Sequence, residues 1–383
     1  MRNRHIFRFI FVVVIITLGL AACKSSPSQE QEIRIGVIAP ITGEIAAVGQ
    51  STVNAAEMVA QEVNKAGGLE VDGQRYEITL IIEDNQDKEQ AAVAAVQKLI
   101  NQDNVVAIIG PQASRNAIPA SNAAESSHIP MISPWSTNPK TTHGKDYIFR
   151  IAFIDSFQGQ VMARFTFEEL GTHKVAVLYD VASDYNKGIA EIYKQVVEDA
   201  GGEVVAFESY TTGEQDFSTQ FERIKASGAE VLFLPNYYNE VPQQVRQARE
   251  MGITAAVIGS DSWMGIEKAD LADLEGSFFS THYFADTSNE QAKPFIEAYR
   301  QIYGQTPDDV AALTYDAFGL LFQAIQSQND ADPESIRTGL STIDAYSGIT
   351  GTMKYRGTGD PIKSAVILKI TAGDFVFYKQ VSP

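Results

Sequence analysis

The sequence predicts an α/β protein in which parallel sheets are covered by helices and wound as two similar units. Three observations predict it. Short, largely apolar runs end abruptly at Pro, Gly or polar residues, as buried parallel strands do. Amphipathic stretches closed by glycine pairs lie between them. The two kinds of segment alternate at a spacing of roughly 25–35 residues, in a chain long enough for two such units.

Ile33 to Ala39 is the first strand, ended by Pro40, and a helix runs from about Ala47 to Ala66 until Gly67-Gly68 stops it. Tyr76 to Ile82 alternates as a strand and runs into Glu83-Asp84-Asn85. A helix with Val93, Val96, Leu99 and Ile100 on one face leads to a strand at Val105 to Ile109, ended by Gly110-Pro111. The rhythm resumes after Arg150. Val175 to Tyr179 is a strand, and Ile189, Ile192, Tyr193, Val196, Val197 and Ala200 make a helical stripe closed by Gly201-Gly202. Val204 to Phe207, Val231 to Leu234 and Val257 to Gly259 continue as strands. Two long helices, about Asn289–Tyr303 and Asp308–Ser327, precede final strands near Ala365–Ile370 and Phe375–Tyr378.

The start of the chain is of another kind. Arg2, Arg4 and Arg8 precede an apolar stretch from Phe9 to Ala22 that ends in Leu20-Ala21-Ala22-Cys23, and Cys23 is the only cysteine. The layout is that of a secretory signal peptide over residues 1–22, too short for a comfortable membrane span. The small-small-Cys junction resembles the lipobox of bacterial lipoproteins, in which the thiol is diacylated and becomes the mature N-terminus. Residues 23–31 then form a lipidated N-terminus and polar linker. The expectation is an exported chain, lipid-anchored to the outer face of the cytoplasmic membrane.

Composition narrows the function. The 30 basic and 48 acidic residues give a net charge of −18, and removing the three signal arginines makes it −21. So acidic a surface does not hold a phosphate backbone, so no nucleic-acid partner is expected. One cysteine allows no intramolecular disulfide. The five histidines (His5, His128, His143, His173 and His282) are scattered without metal-ligand spacing, so neither metal nor other cofactor is expected. No G-x-S-x-G elbow, Walker A loop or G-x-G-x-x-G fingerprint occurs, so the chain reads as no enzyme.

Ligands of open parallel sheets bind at the carboxyl ends of strands, facing helix N-termini. The residues there are rich in hydroxyls and aromatics: Gln112-Ala113-Ser114, Ser133-Pro134-Trp135-Ser136-Thr137, Asp184-Tyr185, Asn236-Tyr237-Tyr238 and Ser260-Asp261. Hydroxyls and helix-start N–H groups suit a carboxylate, a carboxylate such as Asp261 suits an ammonium, and aromatic walls suit apolar mass. Together they fit a zwitterion with an apolar side chain. Taken singly, each has a plainer reading. Ser114 and Thr137 serve as helix caps, Asp261 as a turn residue, Tyr185 and Tyr237 as core aromatics, and Arg115 as a solvated cation.

Ile35 through Gly43, Ala56 through Gly68, Glu83-Asp84 with Asp87 and Gln90-Ala91, Ile109-Gly110-Pro111 to Ser121, Ile129 through Pro134, Phe217-Ser218 and Arg246-Gln247-Ala248 together resemble the leucine/isoleucine/valine-binding protein family, over essentially the whole chain from Ile33. The resemblance implies a type I periplasmic binding protein, with two lobes joined by three crossover strands near Arg150–Ile154, Ser280–Ala285 and Tyr346–Gly351. It divides the chain into lobe 1 (32–151 plus 283–347) and lobe 2 (152–282 plus 348–383). It further implies a receptor that closes on an amino acid, neutral aliphatic or branched-chain, and delivers it to the membrane permease and ATPase of an ABC importer. By the same resemblance Ser114 takes the ligand carboxylate, and Trp135 and Thr137 supply carbonyl and hydroxyl contacts. Asp261 takes the ammonium, and Tyr185 and Tyr237 close over the ligand. The alternatives are a receptor for another small carboxylate or amide, with Arg115 and Trp135 in the pocket, or the sensing domain of a partner sensor.

Overall fold

The computed structural model describes residues 31–287 and 290–383, and the signal segment, Cys23, nearly all of the linker and the helix start expected at Asn289 lie outside them. The first sheet is built from β1 (Glu32–Ala39), β2 (Leu69–Val71), β3 (Gln74–Asp84), β4 (Ala107–Ile109), β5 (Met131–Ser133) and β6 (Ile148–Arg150), in the order β2-β3-β1-β4-β5-β6. All its pairings are parallel except that of β2 with β3. Three helices connect these strands: α1 (Ala46–Lys65), α2 (Glu89–Asn101) and α3 (Ser114–Ser126).

The chain then crosses into a second unit of α4 (Asp155–Glu168), β7 (Lys174–Asp180), α5 (Asp184–Asp199), β8 (Glu203–Tyr210), α6 (Ser218–Ser227), β9 (Val231–Leu234), α7 (Val241–Glu250), β10 (Ala256–Gly259) and β11 (Phe278–Thr281). It returns as α8 (Ala292–Tyr303), α9 (Asp309–Gln328) and α10 (Pro333–Thr342), with α9 packed on α1 of the first unit. The hairpin β12 (Ala345–Gly348) and β13 (Gly351–Lys354) forms a separate two-stranded sheet. β14 (Ala365–Thr371) and β15 (Asp374–Val381) then add antiparallel strands to the second sheet, giving β15-β14-β11-β10-β9-β7-β8.

The two units are lobes of a type I periplasmic binding fold. Strands β4, β5, β6 and β9 are buried along their whole length, because helices cover both faces. Where the lobes connect, Arg150 is fully buried. Its Nε lies 2.6 Å from Asp360 Oδ1, and its other nitrogens donate to the carbonyls of Ser136 and Asn138 at 2.8 Å and to the Thr142 hydroxyl at 2.6 Å. The Arg150 main chain is held as well. Its N–H donates to the Gly359 carbonyl at 2.9 Å, and its carbonyl accepts from the Tyr355 hydroxyl at 2.8 Å. One crossing is thereby pinned to the segment that follows β13.

Candidate ligand-binding site

On the lobe 1 side the site begins where β4 ends. Gly110 has φ +95°, and a Cβ there would lie 2.1 Å from the Ile38 carbonyl oxygen, so the turn into α3 requires glycine. The next residues deliver Gln112, Ala113 and Ser114 to the cleft. Ala113 is the N-cap of α3 and offers no side-chain cap, so Ser114 is the first helical residue rather than the cap. The first N–H groups of α3 lack intrahelical partners and carry the positive end of the helix dipole. The Ser114 hydroxyl is 2.8 Å from that of Ser136, which is 2.8 Å from that of Thr141, a buried chain of three hydroxyls. Trp135, just past β5, donates from its indole N–H to Asp309 at the start of α9 at 3.2 Å.

On the lobe 2 side, Tyr185 stands in the first turn of α5. Its hydroxyl is 2.7 Å from both Asp261 Oδ1 and Ser260 Oγ, so its single proton goes to the carboxylate while it accepts from the serine. Burial, reinforced by the charge of Asp261, holds the Tyr185 hydroxyl far above its ordinary range, so it stays a donor. Asp261 follows β10 directly. It also accepts from Gln158 Nε2 of α4 at 2.7 Å, and its other oxygen lies 3.2 Å from His282 Nε2, just past β11. Burial lowers the His282 pKa, so the ring is neutral and its Nε2–H donates to Asp261. A carboxylate has about four lone-pair positions. Three are taken, and one on Oδ2 remains.

Five of the six residues selected from the sequence surround one small cavity between the lobes. Ser114, Trp135, Tyr185, Tyr237 and Asp261 line it with Gln112 and Ala113. The Tyr237 ring is 5.0 Å from Tyr185 and 6.2 Å from Trp135, centre to centre, so an aromatic wall spans both lobes.

Thr137 is elsewhere. It is buried beside the N-terminus of α4, where its carbonyl accepts from the Asp155 N–H at 3.0 Å and its hydroxyl neighbours the Asp155 carboxyl. Burial pushes that carboxyl up to about 7, against the Thr137 hydroxyl, which favours the charged form. Arg115 is outside the cavity too. It is paired with Asp87 through two nitrogens and lies over the outer face of Tyr237, 4.7 Å from the ring centre. Gln112, Gln158 and His282 were not singled out by sequence reasoning. Gln112 lies in the strand-end junction with Ser114, whereas Gln158 lies in the first turn of α4 and carries no local signal.

With this geometry established, the chain can be set beside known proteins. The family profile described as "Periplasmic binding protein" matches residues 32–374. The chain belongs to that family and is related to its leucine/isoleucine/valine-binding proteins. It is 30% identical to the leucine-, isoleucine-, valine-, threonine- and alanine-binding protein of Pseudomonas aeruginosa, over 90% of this chain and 91% of that one. A leucine-binding protein from Thermotoga maritima superposes with a TM-score of 0.85 at 32% identity, covering 92% of this chain and 99% of the other. The branched-chain amino acid transporter substrate-binding protein from Streptococcus pneumoniae, solved with isoleucine, gives 0.83 at 30% identity, covering 92% and 100%. This family member is a binding protein and not an enzyme. Among the described residues no helix is long and apolar enough to cross a membrane.

Proposed function

We propose that this family member is a lipid-anchored extracytoplasmic receptor that captures a neutral α-amino acid by lobe closure and delivers it to an ABC permease. The observation that carries the reading is the polarity of this small cavity. A helix N-terminus and the Ser114 hydroxyl face it from lobe 1, and the Asp261 carboxylate, with one lone-pair position unfilled, faces it from lobe 2. A zwitterion bridges the two, its carboxylate at α3 and its ammonium at Asp261. Trp135, Tyr185 and Tyr237 surround the remainder of the ligand.

Arg115 argues against an acidic ligand, because its charge is spent on Asp87. Thr137 acts one step removed, through Asp155. The ligands in the names of the three relatives described above are neutral amino acids, which supports the same class here. Closure is supported by contacts that only the closed form can make. Asn138 donates to the Asp184 carbonyl at 2.8 Å, Lys140 pairs with Asp184 at 2.7 Å, and Arg115 lies over Tyr237. Hinging would occur at the three connections, near 150–154, 280–285 and 346–351.

Small-angle X-ray scattering tests the closure. The radius of gyration should fall on adding the amino acid that binds, and an unchanged radius at saturating ligand would contradict capture by closure. Cys23→Ser tests the anchor. It should move the protein from the membrane fraction to the soluble one, and retention at the membrane would refute lipidation at that residue.

A further inference from the structure

Gln112 has no counterpart for its side chain. It is fully buried and lines the cavity, yet neither Oε1 nor Nε2 has a hydrogen-bond partner among the described residues. Its neighbours are engaged elsewhere: Ser114 with Ser136, Trp135 with Asp309, and Tyr185 with Asp261 and Ser260. A buried amide left unsatisfied is costly, and buried polar groups in folded proteins are almost always paired.

The geometry points to a ligand whose side chain supplies that partner, which makes Gln112 the residue that selects the ligand and a neutral polar amino acid the substrate class. This deepens the receptor reading above and rests on it. With the ligand's carboxylate at α3 and its ammonium at Asp261, its side chain is the group placed against Gln112. An amide presents one group that accepts and one that donates. A carboxylate side chain can answer only the donor, and an ammonium only the acceptor. A hydroxyl or a carboxamide answers both without bringing a charge into a cavity whose wall already holds Asp261. A hydrocarbon side chain answers neither and leaves the amide buried and dry.

Threonine and valine make the sharpest comparison, since they differ by a hydroxyl in place of a methyl at nearly equal volume. Calorimetric titration of the dialysed full-length chain in detergent should rank threonine above valine by roughly 5- to 150-fold, the range set by one unsatisfied buried group. Serine, asparagine and glutamine complete the polar set, and leucine completes the apolar one. Gln112→Leu should abolish or reverse the ranking by weakening the polar ligands and tightening valine and leucine.

Valine or leucine binding the unaltered protein more tightly than every polar member would overturn the assignment to Gln112 and leave the amino-acid receptor standing. This ranking needs no variant, so it decides the matter even if Gln112→Leu does not fold. Binding of no α-amino acid at all would overturn the receptor reading, and this inference with it.

Discussion

Asp261→Asn is the substitution that isolates ligand charge recognition. The asparagine oxygen can still accept from Gln158 and Tyr185, both at 2.7 Å in the native site. His282, neutral and 3.2 Å from the other oxygen, can change tautomer and accept from the new amide N–H. The pocket therefore keeps its shape and its internal hydrogen bonds. What is lost is the negative charge facing the ligand ammonium, together with the lone-pair position that would accept from it. Removing one member of a buried, hydrogen-bonded charge pair costs about 2–5 kcal/mol. Taking about 3 kcal/mol, affinity should fall roughly 150-fold. Calorimetry reads the affinity, and a melting curve of the unliganded variant confirms that the fold is intact. An affinity within about threefold of the native protein, with the fold unchanged, would refute the role given to Asp261.

The other predictions concern the surroundings of the site. Arg115→Ala removes a guanidinium that bridges Asp87 and the Tyr237 face, so the closed form should release ligand faster. A cation–π contact of about 0.5–2 kcal/mol corresponds to roughly 2- to 30-fold in the dissociation rate by stopped flow, with no change in preference for ligand charge. Asp155 is held at about 7 by burial against an ordinary 3.8, so the folded protein keeps a proton there that the unfolded chain releases. Its contribution makes stability fall as pH rises from about 4 to 7, and Asp155→Asn should flatten that slope in melting temperatures taken across the range. Arg150→Met leaves Asp360 and three buried acceptors without their donor, and should cost about 3–5 kcal/mol in denaturant unfolding.

The strand ends made much of the site legible in the sequence, because short apolar runs stopped by Pro or Gly mark the positions that face the cleft. Ser114, Trp135, Tyr185, Tyr237 and Asp261 all lie in such junctions, and the resemblance to the binding-protein family picked them out from their neighbours. Gln158 was not picked out, since it reaches Asp261 across 103 residues of sequence from the first turn of α4, and amphipathic spacing says nothing about such a partner. Thr137 is not among the residues lining the cavity, and its carbonyl accepts from the Asp155 N–H at the start of α4.

Several elements carried signals the alternation reading passed over. Asp72-Gly73, both at positive φ, form the two-residue turn that joins β2 to β3, so β3 starts at Gln74 rather than Tyr76. Asp332 caps α10 and Pro333 opens it, a helix-start pattern hidden in a polar stretch. Arg150 looked like a boundary residue, and only the fold shows it buried, because its acceptors come from loops that no local pattern joins.

Whether the cavity reads a zwitterion is decided by a thermal-shift series. The protein is melted with each neutral L-amino acid, then with the matching amine lacking the carboxylate and the matching acid lacking the ammonium. A ligand at 100 times its dissociation constant stabilises by about 2.7 kcal/mol, enough for a clear rise in melting temperature. The account predicts a rise with at least one intact amino acid and none with either of its truncated forms. A rise with the carboxylic acid alone, equal to that with the amino acid, would contradict it.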